Sequence, residues 1–171
     1  MAPAVTITRA GTDALDRLEP LWLLLHRHHQ AVGGEALGPY VDDTTSWRER
    51  RALYTDFLAK DGFALLAERD GKLIGYAMVA VLPVTDTQMP DTWRTGERIA
   101  EIETLSVVPQ ARGAGVGSAL LDRIDEELEA AAIDDVLVGA FVSNADAIRL
   151  YQRRGFRPAW MYLQRLGGRS A

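Results

Sequence analysis

Apolar and polar positions alternate along this chain with two periods, and the switches between them mark its elements. Val5-Thr6-Ile7-Thr8-Arg9 alternates residue by residue, as a half-buried strand does. Thr12 or Asp13 then offers a helix N-cap, and Leu15, Leu18, Trp22, Leu25 and His29 draw one helical stripe, with Pro20 expected to kink it. Gly33-Gly34 and Gly38-Pro39 mark a loop, and Ser46 is the expected cap of a second helix running to about Ala59, with Trp47, Leu53, Tyr54, Phe57 and Leu58 as its apolar positions. Phe63–Glu68 and Leu73–Leu82 read as strands joined at Asp70-Gly71, a two-residue hairpin turn that needs positive φ, with Gly75 marking a bulge.

Pro83–Arg98 is polar, and Ile99–Val108 returns to a strand that ends at Pro109. The turn Arg112-Gly113-Ala114-Gly115-Val116-Gly117 leads straight into a helix with Leu120, Leu121, Ile124 and Leu128 on one side and Asp122, Asp125, Glu126 and Glu129 on a solvated side. Val136–Val142 is a short strand, Ser143 or Asn144 caps a helix to Arg154, and Gly155 stops it. Phe156–Leu166 supplies a last strand and Gly167–Ala171 frays. The order is β-α-α-β-β-β-α-β-α-β, with no linker or repeat, so residues 1–171 read as one domain.

Composition narrows the class. Hydrophobic residues make up 47% and charged residues 25%, which excludes disordered and low-complexity chains. Cysteine is absent, so disulfides and thiolate metal sites are excluded and a reducing, cytoplasmic setting is expected. The net charge of −5 argues against a general nucleic-acid binder. No apolar run approaches the ~18 residues of a membrane span, and Met1–Arg9 lacks the pattern of a signal peptide.

The chemistry concentrates where strand, Pro109, glycine turn and helix meet. Glycines let the backbone approach a ligand, and the helix start presents unpaired N–H groups and the positive end of its dipole, a ready phosphate site beside the Arg112 cation. A Walker loop is rejected because no lysine follows Gly117, and a dinucleotide fingerprint is disfavoured because its sixth position is Ser118 and it lies deep in the chain. Taken alone, the turn also fits a tight βα connection that uses glycine for geometry only.

Arg112-x-x-Gly115-x-Gly117 resembles the acetyl-coenzyme A motif (Q/R-x-x-G-x-G/A) of the GNAT N-acetyltransferase family, and the stretch Ile102–Leu121 looks like that family's central strand, loop and helix. Asn144-Ala-Asp-Ala-Ile-Arg-Leu-Tyr151-Gln-Arg-Arg-Gly155-Phe156 resembles the family's N-x-x-A-x-x-x-Y-x-x-x-G-F helix, and the order of elements along the chain also matches. The resemblance implies the single-domain α/β fold of acyl-CoA N-acyltransferases, a mixed twisted sheet of about six or seven strands with helices on both faces. It implies an acyltransferase that moves an acetyl group from acetyl-CoA to a primary amine by direct attack in a ternary complex, without a metal. The partners implied are acetyl-CoA and an amine acceptor, with a homodimer left open and neither nucleic acid nor membrane involved. Two other readings stay open: a coenzyme-binding regulatory module without turnover, and an acyltransferase with a different donor or acceptor.

By the same resemblance, the amides of Gly113, Ala114, Gly115, Val116, Gly117 and Ser118 cradle the pyrophosphate beside Arg112. Leu105 and Val107 pair with the pantetheine arm, which lies where the central strand and Val136–Val142 splay apart. Asn144 contacts the coenzyme, Tyr151 sits near the thioester sulfur, and the Val107 N–H, freed by a strand bulge, receives the oxyanion. The attacking ammonium must first lose a proton, and only about one alkylamine in 10³ is neutral at pH 7. Glu101 and Glu103, two apart and on one strand face, are the candidate bases.

The remaining chemistry-bearing side chains have plainer readings. His26, His28 and His29 form a solvated helix end. Arg149, Arg153, Arg154 and Arg157 form an ion-paired face or reach the coenzyme's 3′-phosphate. Pro83–Glu103 carries three more acidic than basic residues, an acidic lip that would attract a cationic amine, and Tyr40, Trp47 and Trp93 are candidates to line the acceptor pocket.

Overall fold

The computed structural model describes residues 4–166. The chain runs β1 (Thr6–Ala10), a 3₁₀ segment (Thr12–Leu18), α1 (Glu19–Gly33), α2 (Asp43–Leu58), β2 (Phe63–Arg69), β3 (Lys72–Pro83), β4 (Arg98–Val107), α3 (Val116–Ala130), β5 (Val136–Val138) and α4 (Ala145–Arg153). The strands form one mixed sheet in the order β1-β2-β3-β4-β5, antiparallel except for the parallel pair β4–β5.

Each face of the sheet is covered by helices. Leu65, Ala77, Val79, Ala100 and Ile102 pack under α3 with Leu120, Leu121, Ile124 and Tyr151 of α4. On the other face Ala64, Leu66, Tyr76 and Met78 meet Leu18, Leu21, Trp22, Trp47 and Tyr54 of the 3₁₀ segment, α1 and α2. The hairpin turn is as its sequence requires, with φ of 52° at Asp70 and 71° at Gly71. The β2–β3 register shifts beside Gly75, the bulge that glycine signalled.

Several local expectations are corrected. The sheet has five strands among the described residues, not six or seven. Phe156–Leu166 forms no strand: Phe156 packs on Tyr151, and beyond it Trp160, Met161, Tyr162 and Leu163 lie exposed. Pro158 removes a ladder donor there, and the apolar run that follows has no alternation to define a buried face. β5 stops at Val138 rather than Val142, because beyond Gly139 the chain turns away and Phe141 packs against His29 of α1. Pro20 starts α1 instead of kinking it, since its missing N–H costs nothing in a first turn. Gly11, not Thr12 or Asp13, precedes the 3₁₀ segment without a side-chain cap. Asp42, not Ser46, caps α2 by accepting from the Thr45 N–H at 2.8 Å, while Ser46 is buried and accepts from Trp22 Nε1 at 2.9 Å. Gly167–Ala171, expected to fray, lies outside the described residues.

Candidate functional site

The centre of the molecule is an irregularity in β4. The Val108 N–H donates to the Ile74 carbonyl on the β3 side, whereas the Ala100 N–H donates to the Asp135 carbonyl on the β5 side. Backbone groups alternate sides along a strand, so residues 104 and 106 face β3 while Leu105 and Val107 face away from it. Regular alternation from Ala100 would give the opposite answer. The difference is taken up at Glu103, where the register jumps from Met78↔Thr104 to Val79↔Ile102.

The bulge re-aims side chains as well. Ala100 and Ile102 face α3 before it, and Leu105 and Val107 face α3 after it. Thr104 and Ser106 turn to the other layer, where Thr104 meets the Tyr54 hydroxyl and Ser106 donates to the Leu21 carbonyl at 3.0 Å. The expected bulge therefore exists, four residues upstream of Val107, and it leaves the Val107 N–H directed at an open edge.

That edge is open because β5 pairs with β4 only through Ala100↔Val136, Glu101↔Leu137 and Ile102↔Val138. Past Val138 the two strands part, leaving the Leu105 and Val107 backbone groups beside a gap. Arg112 Nε reaches back to donate to the Val107 carbonyl at 3.0 Å.

At the end of β4 the chain makes a short 3₁₀ turn (Pro109–Ala111) and reaches the glycine turn. Gly113 and Gly115 have φ of 73° and 81°, conformations that strain any residue with a Cβ. A Cβ at either would meet nothing within 4 Å, so the requirement is conformational and the space above the turn is open. Gly115 is the N-cap of α3 and no side chain caps that end. The N–H groups of Val116, Gly117 and Ser118 therefore lack intrahelical partners at the positive end of a 15-residue helix, an arrangement suited to an anion.

The second motif reaches the same region from α4. Asn144 caps α4, its Oδ1 accepting from the Ala147 N–H at 3.4 Å, which leaves its amide nitrogen for other partners. Tyr151 packs among the side chains under α3, edge-on to Phe156, and burial pushes its hydroxyl up to about 12. Arg154 joins α4 to α3 through Asp122 at 2.5 Å and Asp125 at 3.0 Å, and Arg149 pairs with Asp146, so the ion-paired reading holds for these two arginines. Asp122 and Asp125 nonetheless stay on the solvated face expected of them, with 59% and 66% of their side chains exposed.

The two carboxylates of β4 have different surroundings. Glu103 is paired with Arg50 of α2, whose guanidinium lies 4.0 Å above the Trp22 ring. Glu101 has no ion-pair partner among the described residues, and burial together with the Glu103 charge raises its carboxyl above the ordinary range.

On the α1/α2 side a cavity of about 330 Å³ is lined by ring-bearing side chains, including His29, Tyr40 and Phe141, together with Arg50. Of the three aromatic candidates only Tyr40 lines it; Trp47 is in the core and Trp93 packs edge-on to Trp160 at 5.1 Å. The histidines are not a uniformly solvated end. His26 is buried with Nε2 3.0 Å from the Val41 carbonyl, and His29 sits edge-on to Phe141 at 5.0 Å. Arg50 and Phe141 had no local signal, because their importance comes from contacts between distant elements, and His29, singled out by its place on the α1 stripe, takes its role here from the same contacts.

Burial, and then the charges of His28, Arg50 and His26, lower His29 from 6.5 to about 4. The unfolded chain therefore takes up this proton before the folded one, so the stabilisation is complete above pH 6.5 and is lost as pH falls towards 4. The full shift has a ceiling of about 3 kcal/mol, and partial exposure of the ring reduces it to roughly 1–2 kcal/mol. Urea unfolding of wild type and His29→Phe at neutral pH and near pH 4.5 should show that much extra loss in wild type alone; parallel losses would exclude the imidazole as its source.

The profile of the acetyltransferase (GNAT) family matches residues 25–156, most of the chain. The chain belongs to the GNAT acetyltransferase family. A mycothiol acetyltransferase of Acidothermus cellulolyticus is 34% identical over 109 residues, 63% of this chain but 33% of that protein. An IAA acetyltransferase of Azospirillum brasilense is 31% identical over 123 residues, 71% of this chain and 72% of that protein. This GNAT chain thus spans about a third of the first relative's length and most of the second's. Its fold is shared with a GCN5-related N-acetyltransferase from Ralstonia eutropha JMP134, with a TM-score of 0.74, 19% identity and coverage of 96% of this chain and 100% of that one. The α/β fold expected of the GNAT family is thereby established, with the smaller strand count noted above. No helix among the described residues is long and apolar enough to cross a membrane, and no three or more His, Asp or Glu side chains there are grouped to hold a metal ion.

Proposed function

We propose that this chain transfers an acetyl group from acetyl-CoA to a primary amine by direct attack within a ternary complex. The observation that carries the reading is one continuous track: the open edge of β4 at Leu105 and Val107 leads directly to the uncapped start of α3. An extended arm ending in a pyrophosphate has the chemistry of that track. The amides of Gly113 to Ser118 receive the pyrophosphate, and Leu105 and Val107 pair with the pantetheine arm. Arg112 then leaves the Val107 carbonyl and turns to the phosphates as a fixed cation. Asn144 offers its free amide nitrogen to the coenzyme.

Glu101 accepts the amine's proton, directly or through water, because Glu103 is already engaged by Arg50. The nitrogen lone pair attacks the thioester carbon, and an open-edge amide of β4 receives the oxyanion. Collapse of the tetrahedral intermediate breaks the C–S bond, and the second proton of the attacking nitrogen passes to the departing sulfur, leaving the amide and the free CoA thiol. Tyr151 donates a hydrogen bond to the departing thiolate; its hydroxyl, pushed up to about 12, stays protonated while doing so. The family's use of acetyl-CoA and the acetyltransferase names of the relatives support this reading.

Release of free thiol from acetyl-CoA over a panel of amines tests it, with coenzyme binding measured on the same sample by calorimetry. Amine-dependent release is the expected result, and failure to bind the coenzyme would remove the basis of the reading. In the same assay Tyr151→Phe should lower kcat by about 10-fold to 100-fold while leaving coenzyme affinity near wild type. Unchanged turnover would remove Tyr151 from the reaction.

A further inference from the structure

We infer that the cavity between α1, α2 and the chain following β5 is the acceptor subsite, and that it takes an amine carried on a flat aromatic ring rather than a polycation. The inference rests on the acetyl-transfer reading and names its acceptor class. Its first support is position. Arg50 lines the cavity and pairs with Glu103 at the β4 bulge, and Phe141 lines it from the far side of the gap between β4 and β5. A molecule in the cavity therefore lies between the two walls that flank the end of the open edge. Ser143 Oγ donates to the Val32 carbonyl at 2.5 Å, which ties the chain after β5 to the end of α1 and keeps the Phe141 wall in place.

Lining and size give the ligand class. Trp22, His26, His29, Tyr40 and Phe141 contribute five rings to the wall, and Trp22 is stacked with His26 and edge-on to His29. Rings packed in this way favour a planar apolar guest over a flexible polar one. The volume of about 330 Å³ is roughly twice the ~150 Å³ cavity that holds benzene. It is room enough for one or two fused rings with a short aminoalkyl arm.

Charge points the same way. The lining carries one charge of each sign: Arg50, held by Glu103, and Glu49, an exposed carboxylate beside its exposed neighbour Arg48. His29 is a neutral wall at pH 7, because burial first, and then the charges of His28, Arg50 and His26, hold it down to about 4. Asp86, Asp91 and Glu97 of the acidic stretch do not line the cavity. A polyamine entering here would meet one lining carboxylate for its several charges, too few to offset the loss of their hydration, whereas an arylalkylamine brings a single cationic group, placed on the arm that leads to the bulge.

The test uses the full chain. Binding of tryptamine and of spermidine is measured calorimetrically on protein saturated with free CoA, which cannot react. Thiol release is then measured with tryptamine, phenethylamine, spermidine and kanamycin. Two variants probe the wall: Phe141→Ala, and Leu53→Trp, which fills the mouth from a position 36% exposed. The arylalkylamines should exceed spermidine and kanamycin in kcat/KM by about tenfold or more. Each variant should weaken tryptamine binding by about tenfold with CoA affinity unchanged. Preference for spermidine or kanamycin, or tryptamine binding equal in wild type and both variants, would overturn the inference while leaving acetyl transfer intact. Tryptamine binding that depends on the wall, without thiol release from any amine, would uphold the cavity as an aromatic-amine site and overturn the transfer reading instead.

Discussion

Gly115→Val is expected to weaken coenzyme binding by about 10² to 10⁴-fold, read by calorimetry with CoA. Two effects combine at this residue. With φ at 81° it lies where a β-branched side chain is strained by about 1–2 kcal/mol, so the turn either stores that strain or relaxes to another conformation. Relaxation moves the N–H groups at the start of α3 away from one another's focus, and losing two charge-assisted hydrogen bonds at about 1.5–3 kcal/mol each gives the range stated. An added Cβ would also project into the open space above the turn, where it meets no protein atom within 4 Å and which the proposed binding mode gives to the pyrophosphate.

Gly71→Val separates binding from folding. Its φ of 71° carries a similar backbone strain and a Cβ there also meets nothing within 4 Å, but it sits at the β2–β3 turn. Both variants should lower Tm by a few degrees, at about 2–4 °C per kcal/mol for a chain of this size. Only Gly115→Val should lose the coenzyme. Equal affinities in the two variants would show that the glycine turn is not the phosphate site.

The strand–turn–helix unit was legible in the sequence because its causes are local. Alternation from Ile99 to Val108, a proline stop, glycines at the positions that need positive φ and an apolar helical stripe each leave a short-range mark. The Glu103 bulge left a fainter one: Ile102 and Leu105 share a face at a spacing of three, which no regular strand allows, and the alternating Glu-x-Glu beside them hides it. The cap of α2 was misassigned because Asp42 and Ser46 are both good caps by type; burial of Ser46 beneath Trp22, a contact 24 residues apart, decides between them. The acceptor side was the least legible. Arg50, His29 and Phe141 gain their meaning from long-range packing between α1, α2 and the chain after β5; helical periodicity put His29 on the apolar stripe, but its grouping with His26 and His28 read it as part of a solvated helix end.

That packing is also what separates two glutamates with the same spacing and chemistry. On the proposed mechanism, Glu101→Gln should lower kcat by about 10² to 10³-fold with coenzyme affinity unchanged. A free alkylammonium near ~10.4 and a free glutamate near ~4.3 differ by about 8 kcal/mol in proton affinity. Each unit by which burial and the Glu103 charge raise Glu101 closes about 1.4 kcal/mol of that gap. The carboxyl must be ionised to accept a proton, so wild-type kcat/KM should fall as pH drops through the raised value, and Glu101→Gln should lose that acidic limb. Unfolding cannot mimic the result. A carboxyl whose folded value is raised stabilises the fold most when it is protonated, and that contribution is lost as pH rises through the folded value. An uncharged amide at position 101 should therefore be at least as stable as glutamate at pH 7, by urea titration. Glu103→Gln has a different signature, because it leaves the half-buried Arg50 guanidinium above Trp22 without its counter-ion. That variant should lose stability and raise the acceptor KM while keeping the acidic limb. If the limb disappears with Glu103→Gln and survives Glu101→Gln, the proton passes to Glu103, and the Arg50 pair is a contact that must open before the amine can react.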